Sequence, residues 1–462
     1  MELAFRSAVD QARLIRTREV SSVELVQVYL ERIARLDPAL NAFVTVRGDA
    51  ALADARAADA ARTDAPFHGV PIAIKDLTAT AGIRTTYSSR AYAEYVPDFD
   101  MAVARRLREA GFVILGKTNT PEFGTTAFTE SELNGATRNP WNPERTPGGS
   151  SGGAAAALAA GLVPVAHGTD GGGSIRIPAS CCGVFGLKPS RGRVSSAPFT
   201  SLEGLSTSGP ISRSVADAAH LLDVLSGYET GDPWWAPPPE RPFAEAVTEP
   251  PDTLRIAVTS VPPVDAPVDP ECAAALSSAA ALLAELGHSV AEVTPPWGEP
   301  GLEHTFITVW QVGPALHPVD DLSLLTPLNR GLVESASMSS AVDYARAVVR
   351  LQALARRTVA FWQEFDVVLT PTLALPPVPI GWQESVEGAI EQLLRNIVFT
   401  PFTAIANLTG LPAMSLPLHW SENGMPIGVQ AIGPPAGEVV LLQLAAQLEA
   451  TCPWADRRPP IS

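Results

Sequence analysis

The chain has 462 residues, 46% hydrophobic and 18% charged, which is ample apolar material for a large core and too little charge for a disordered protein. Its formal net charge of −16 argues against nucleic acid or an anionic membrane as the main partner. No apolar run approaches membrane-spanning length, and the opening Met-Glu-Leu-Ala-Phe-Arg lacks the basic-then-apolar order of a signal peptide, so a cytoplasmic protein is expected.

Residues 21–36 read as an amphipathic helix, with a Ser21/Glu24 capping box and an apolar face that includes Leu25, Val26, Ile33 and Leu36. A strand over 41–46 and an Ala-rich helix over 49–61 follow. Residues 70–74 form a short apolar strand ending at Lys75, 101–110 a helix stopped by Gly111, and 112–115 a buried strand. Gly152 and Gly153 lead into a helix over 154–160, and 162–166 is the next strand. A helix over 214–226 starts at Ser214. The Pro-rich stretch 231–252, with Trp234 and Trp235, reads as a surface crossing where a subdomain boundary could fall. Strand, helix and strand then recur at 254–258, 270–286 and 289–293. Helices over 341–364 and 387–408 flank a strand at 367–369, and a strand over 426–432 precedes a closing helix over 438–449. This alternation predicts an α/β sheet covered by helices.

The four cysteines, Cys181, Cys182, Cys272 and Cys452, form no Cys-x-x-Cys pair, and no His-Glu-x-x-His occurs. No metal site is signalled, and four reduced thiols are expected.

Only three of the 33 basic residues are lysines, and two glycine-rich serine loops lie between the first and last of them. Lys75 ends the apolar run Gly-Val-Pro-Ile-Ala-Ile-Lys-Asp, Ser150 sits in Pro-Gly-Gly-Ser-Ser-Gly-Gly, and Ser174 in Gly-Thr-Asp-Gly-Gly-Gly-Ser-Ile-Arg. A desolvated lysine can act as a base where arginine cannot. Three readings compete. Phosphate cradling is poorly supported, because neither loop ends in Gly-Lys-Ser/Thr or contains Gly-x-Gly-x-x-Gly. A nucleophile elbow at Ser150 satisfies Gly-x-Ser-x-Gly, but residues 141–147 are unlike the strand an elbow needs, and no histidine stands in a telling context. The third reading is a relay in which Ser174 passes a proton through Ser150 to a neutral Lys75, with glycine N–H groups converging as an oxyanion hole.

Gly-Gly-Ser-Ser-Gly-Gly at 148–153 followed by Gly-x-Asp-x-Gly-Gly-Ser-Ile-Arg-x-Pro-Ala at 168–179 closely resembles the amidase signature family. Phe185-Gly186-Leu187-Lys188-Pro189, Gly209-Pro210-Ile211, Gly428-Val429-Gln430 and Ile432-Gly433-Pro434-Pro435 extend the resemblance over nearly the whole chain. It implies a large mixed β-sheet flanked on both faces by helices, in a single domain over 1–462, with a signature core at about 65–215 and a more variable substrate-side region at about 230–400. It implies Ser174 as nucleophile, Ser150 as bridging serine preceded by a cis peptide, and Lys75 as general base. The oxyanion hole maps onto the N–H groups of Gly171, Gly172, Gly173 and Ser174. Ser151 would support the network. Asp170 and Arg176 would be either supporting charges that fix the loop or an ordinary structural ion pair.

Two positions depart from the family pattern. Gly171 stands where many members have Thr, and Ile177 where the tRNA-linked amidotransferase subunit usually has Gln, which favours a stand-alone amidase. The implied activity is hydrolysis of a small or oligomeric amide through an acyl-enzyme, extending to esters or carbamates, with no metal or organic cofactor. General similarity points to linear or cyclic aliphatic amides, including nylon-type oligomers, or to aryl amides and urethanes. A partner-dependent amidotransferase subunit, a non-catalytic relative and an esterase using Ser150 remain as alternatives. Trp310, Trp382, Phe399, Phe402 and Ile405 are either plain core or the lining of an apolar pocket. The oligomeric state is open, although large enzymes of this kind often form homodimers.

Overall fold

A computed structural model describes residues 2–61 and 63–462. Alternating apolar residues in its strands split one sheet into two buried faces. The eleven strands are β1 (Phe43–Val46), β2 (Pro71–Lys75), β3 (Val113–Thr118), β4 (Val165–Asp170), β5 (Phe185–Lys188), β6 (Thr207–Ser212), β7 (Arg255–Val258), β8 (Ser289–Glu292), β9 (Val367–Pro371), β10 (Ala413–Trp420) and β11 (Pro426–Ile432). Their order across the sheet is β1-β3-β2-β4-β6-β5-β10-β11-β9-β7-β8. β2 pairs in parallel with β3 and β4, and β7 in parallel with β8 and β9, while the remaining pairs are antiparallel. The sheet is therefore mixed, as expected.

On one face Ile72, Ile74, Val165, Leu187, Val429 and Ile256 share a core with helices Ala8–Arg16, Ala102–Glu109, Val215–Leu225, Pro270–Glu285 and Glu438–Thr451. On the other face Ala73 and Ala166 pack under helices Ser22–Leu40 and Gly152–Ala159. Farther along that face, Ala257, Val368 and Ile432 pack under helices Leu302–Trp310, Ala341–Val359 and Ala404–Thr409. The site lies on this second face, near the junction of its two cores. The sheet runs unbroken through both the 65–215 and the 230–400 stretches. The Pro-rich crossing at 231–252 is mostly exposed, apart from a short helix, Phe243–Ala246, docked on the first face.

Local signals explain most of the elements. The Ser21/Glu24 capping box is present, and Ser214 accepts a hydrogen bond from the Asp217 N–H at the next helix start. Departures from expectation have physical causes. The strand expected at 162–166 begins instead at Val165, because Leu162 and Val163 are buried in a turn and Pro164 has no N–H for the ladder. It then continues through polar residues to Asp170. The single helix expected over 387–408 is two, Ala389–Phe399 and Ala404–Thr409, with Pro401 in the break. β5, β6 and β10 were not expected. β6 reads Thr-Ser-Gly-Pro-Ile-Ser, and β10 carries Pro417 at a register shift between Leu416 and His419.

Candidate active site

Lys75 ends β2, and the parallel β2–β4 register sets Ala73 against Ala166 and Ile74 against His167, so β4 runs on past Lys75 to Thr169 and Asp170. Ser150 enters from the neighbouring glycine-rich loop, which runs into helix Gly152–Ala159. The Gly149–Ser150 peptide is cis, as the family resemblance implied. Ser174 follows β4 on the second loop, immediately before helix Arg176–Cys182.

Lys75 and Ser150 meet directly, and Ser174 adjoins them through the backbone of Ser151. Lys75 Nζ is 2.6 Å from Ser150 Oγ and 2.9 Å from Thr169 Oγ1. The Ser151 N–H donates to the Ser174 carbonyl at 3.1 Å, which ties the two loops directly. Ser151 Oγ donates to the Thr169 carbonyl at 3.2 Å and accepts from the Thr169 N–H at 3.3 Å. Lys75 is fully buried, and burial pulls its pKa well below the usual lysine value, with the Asp170 charge opposing. Desolvation prevails because Asp170 is engaged by a fully buried Arg176 at 2.8 Å. Burial alone would push the Asp170 carboxyl up, but Arg176 reverses this and holds it at about 2.

Asp170 organises the loop that carries Ser174. Its Oδ1 accepts from the Gly173 N–H at 2.8 Å and its Oδ2 from the Ile175 N–H at 3.1 Å. Gly173 was expected to lend its N–H to an oxyanion, but that N–H is turned to Asp170. The loop N–H groups left for an oxyanion are those of Gly171, Gly172 and Ser174. Gly173 itself is required by geometry. It has φ +133, and a Cβ there would lie 2.4 Å from Thr403 Oγ1. Arg176 in turn donates to the Thr403 carbonyl at 2.8 Å, Gln430 Oε1 at 2.6 Å and Asn407 Oδ1 at 2.7 Å. The Asp170–Arg176 pair is thus both an ion pair and the anchor of the loop.

Several of these groups escaped the sequence reading. Thr169, the second partner of Lys75, adjoins Asp170 in the quoted motif but carried no signal of its own. Thr403 donates to the Gly172 carbonyl at 2.6 Å, and Asn407 donates to the Asp170 carbonyl at 2.9 Å. Both lie in the stretch read as one plain helix. Glu122, also missed, accepts from Ser89 Oγ at 2.7 Å, the Thr326 N–H at 2.9 Å and Asn329 Nδ2 at 2.8 Å, fastening the 326–329 segment beside Phe123.

Among the described residues no histidine hydrogen-bonds to Ser150, as a nucleophile elbow would need. His288 lies between Leu254 and Gln447, His304 beside Glu303, and His317 against Phe123. Of the five residues read as either plain core or pocket lining, Trp310 and Ile405 line a cavity at Ser174. Phe399 stacks on Phe128 near Trp382, and Phe402 is fully buried. Among the described residues no cluster of three His, Cys, Asp or Glu could hold a metal, and no helix is long and apolar enough to cross a membrane.

Residues 24–442 match the Amidase family. The chain belongs to that family, and it is an amide-hydrolysing enzyme. This amidase is 43% identical to AmiB2 of Mycobacterium bovis, a protein named as an amidase, in an alignment covering all of this chain and 99% of the relative. It is 40% identical to the 6-aminohexanoate-cyclic-dimer hydrolase of Pseudomonas sp. (strain NK87), with 98% of this chain and 96% of the relative covered. Among solved structures, the amidase superposes on a 6-aminohexanoate cyclic dimer hydrolase complexed with substrate at a TM-score of 0.92, with 37% identity and full coverage of both chains.

Proposed function

We propose that Lys75, Ser150 and Ser174 carry the amidase reaction, and that the substrates are small or oligomeric aliphatic amides of the 6-aminohexanoate type. The 2.6 Å approach of a buried Lys75 to Ser150 is the observation that carries the reading. Ser174 Oγ attacks the amide carbonyl carbon and gives its proton to Ser150 Oγ, while the Ser150 proton passes to the neutral Lys75 amine. The N–H groups of Gly171, Gly172 and Ser174 receive the negative carbonyl oxygen. Collapse of the tetrahedral adduct breaks the C–N bond, and the departing nitrogen takes a proton from Ser150, which is resupplied by Lys75. Water then attacks the acyl-enzyme by the same path in reverse and releases the acid. Two of the relatives are hydrolases of a cyclic oligoamide, which supports that substrate class. Esters and carbamates present the same carbonyl to the same machinery.

We further propose that the chain is one domain, supported by the unbroken sheet, and that it works in a reducing, cytoplasmic setting. Cys181, Cys182 and Cys272 are buried and all four thiols are free.

The test is fluorophosphonate labelling with peptide mapping, followed by hydrolysis of 6-aminohexanoate cyclic dimer, a simple anilide and an alkyl carbamate by the isolated chain. Labelling at Ser174 with turnover of the dimer is the expected result. Labelling at Ser150, or turnover only when a partner is added, would overturn the reading.

A further inference from the structure

Two cavities of different character meet at Ser174. One is narrow, about 90 Å3, and walled by apolar side chains such as Ile177, Leu302, Phe306, Ile307, Leu393 and Ile405. Glu303 is the one charged residue in that wall among the described residues, and its Oε1 lies 3.0 Å from His304 Nδ1. The amide of Asn396, also in the wall, accepts from the Ala127 N–H and donates to the Gln392 carbonyl. The second cavity is a broad cleft of about 720 Å3 walled by Tyr87, Tyr92, Tyr95, Phe123 and His317.

The broad wall is built at a conformational cost. Tyr87, Ser88 and Phe123 all have positive φ, of 49°, 53° and 53°, a backbone region that residues other than glycine rarely occupy. They are held there by main-chain bonds from the Tyr87 N–H to the Asp76 carbonyl and from the Phe123 N–H to the Tyr87 carbonyl, and by His317 stacked on Phe123 at 4.1 Å. Such strain is retained where the wall must have a particular shape.

Gly124, Thr125, Ser174 and Trp310 border both cavities, whereas Ser150 and Thr169 border only the broad cleft. Trp310 is the partition. Its indole stacks on Phe306 at 5.4 Å and its Nε1–H donates to the Thr125 carbonyl at 3.1 Å. Its far edge rests against Gly171, where a Cβ would stand 3.2 Å from the ring. The missing side chain at 171 is what gives the indole its seat.

The proton path now orients the substrate. A departing nitrogen must reach Ser150, and Ser150 faces only the broad cleft. The acyl carbon chain is left with the narrow cavity. At about 90 Å3, against about 720 Å3 for the cleft, the narrow cavity suits a slender chain. Apart from Glu303 its wall is largely apolar, and Trp310 stands where it opens onto the cleft.

We propose that this enzyme selects amides with a slender, unbranched acyl chain, that the amine departs through the tyrosine-walled cleft, and that Trp310 sets the acyl specificity. The proposal rests on the serine–lysine relay proposed above. The experiment uses the full chain, as wild type, Trp310→Ala and Trp310→Phe, with two substrate series. One varies the acyl group (acetyl, butanoyl, hexanoyl and 2,2-dimethylbutanoyl) on a constant p-nitroanilide. The other varies the amine (ammonia, ethylamine, aniline, 1-naphthylamine) on a constant hexanoyl group. We expect the wild type to favour hexanoyl over 2,2-dimethylbutanoyl at least tenfold in kcat/KM. Trp310→Ala should reduce that ratio at least tenfold and Trp310→Phe about threefold, with the order of amines unchanged in both. Thermal melting checks that each variant is folded, and if Trp310→Ala is not, Trp310→Phe decides. An acyl preference indifferent to Trp310, or a change in the amine order instead, would overturn the assignment. Fluorophosphonate labelling of Ser174 in the wild type separates the two failures. Absence of labelling sinks the relay, whereas labelling with an indifferent Trp310 sinks only the chamber assignment.

Discussion

Lys75 Nζ stands 2.6 Å from Ser150 Oγ, and neither residue is more than 1% exposed. A charged ammonium there has no nearby free carboxylate to offset its lost hydration, because the Asp170 charge is shared with Arg176. The neutral amine is the form the pocket favours, and the neutral amine is the one able to accept a proton.

Removing that amine should therefore remove the base. Lys75→Ala is expected to lower kcat/KM for an anilide by about 10²–10⁴. Lys75→Arg should fare no better, because a guanidinium keeps its proton. Steady-state kinetics on the two variants check this, and substantial activity in the arginine variant would contradict a base at 75.

The pH profile follows from the direction of the Lys75 shift. The folded enzyme holds Lys75 neutral above a depressed pKa, so activity is present above that value and falls as pH drops through it. The acid limb of kcat/KM should have a slope of one proton and a midpoint well below the usual lysine range. A profile flat down to the pH of unfolding would remove Lys75 from the mechanism.

Thr169→Val should leave Lys75 with Ser150 as its remaining hydrogen-bond partner. Losing one such bond costs about 1 kcal/mol, which corresponds to a fall in kcat of about fivefold. The side chain retains its shape, so the melting temperature should change little. A large loss of stability instead would mark Thr169 as structural.

Asp170→Asn leaves Arg176 as an unpaired buried cation. Breaking a buried pair in this way costs about 3–5 kcal/mol, and urea denaturation should show it as a lowered midpoint. An unchanged midpoint would mean that Gln430, Asn407 and Thr403 alone satisfy Arg176.

Stability should also depend on pH through the other two lysines. Burial lowers Lys117 to about 8 and Lys188 to about 7. The unfolded chain keeps both protonated up to the ordinary lysine value, so from about pH 7 it binds more protons than the folded one. Stability must then rise with pH, by up to about 1.4 kcal/mol per pH unit for each proton released. Melting temperatures measured from pH 7 to 8.5 should increase. A decrease would mean that these amines stay charged inside the protein.

Much of the proposed site was legible in the sequence because it is carried by local chain features. Three glycines before Ser174, two on each side of the Ser150–Ser151 pair, and a lysine closing an apolar strand are visible without a fold. Asp170 and Arg176 were visible but ambiguous, since only the fold shows the ion pair also binding the Gly173 and Ile175 N–H groups. Thr403, Asn407 and Gln430 lie some 230 to 260 residues beyond the loop they support, and their roles arise from tertiary packing alone. β6 and β10 were illegible because Gly209, Pro210 and Pro417 break the pattern of a strand, while strand pairing on both sides overrides the local preference. Helix Pro327–Met338 had its signals, a Thr326 cap and a proline in the first turn, but its apolar face serves the pocket region rather than the sheet.

All three lysines of the chain are at most 1% exposed. A folded molecule therefore offers no lysine side chain to amine-directed chemistry: activated esters, aldehydes and isocyanates find none on its surface. The same reagents become probes of opening, because each lysine they modify must first have been uncovered. Coupling the enzyme to a support through its lysines would select the molecules that have come apart, and carboxylates, abundant on its acidic surface, are the handles that leave it whole.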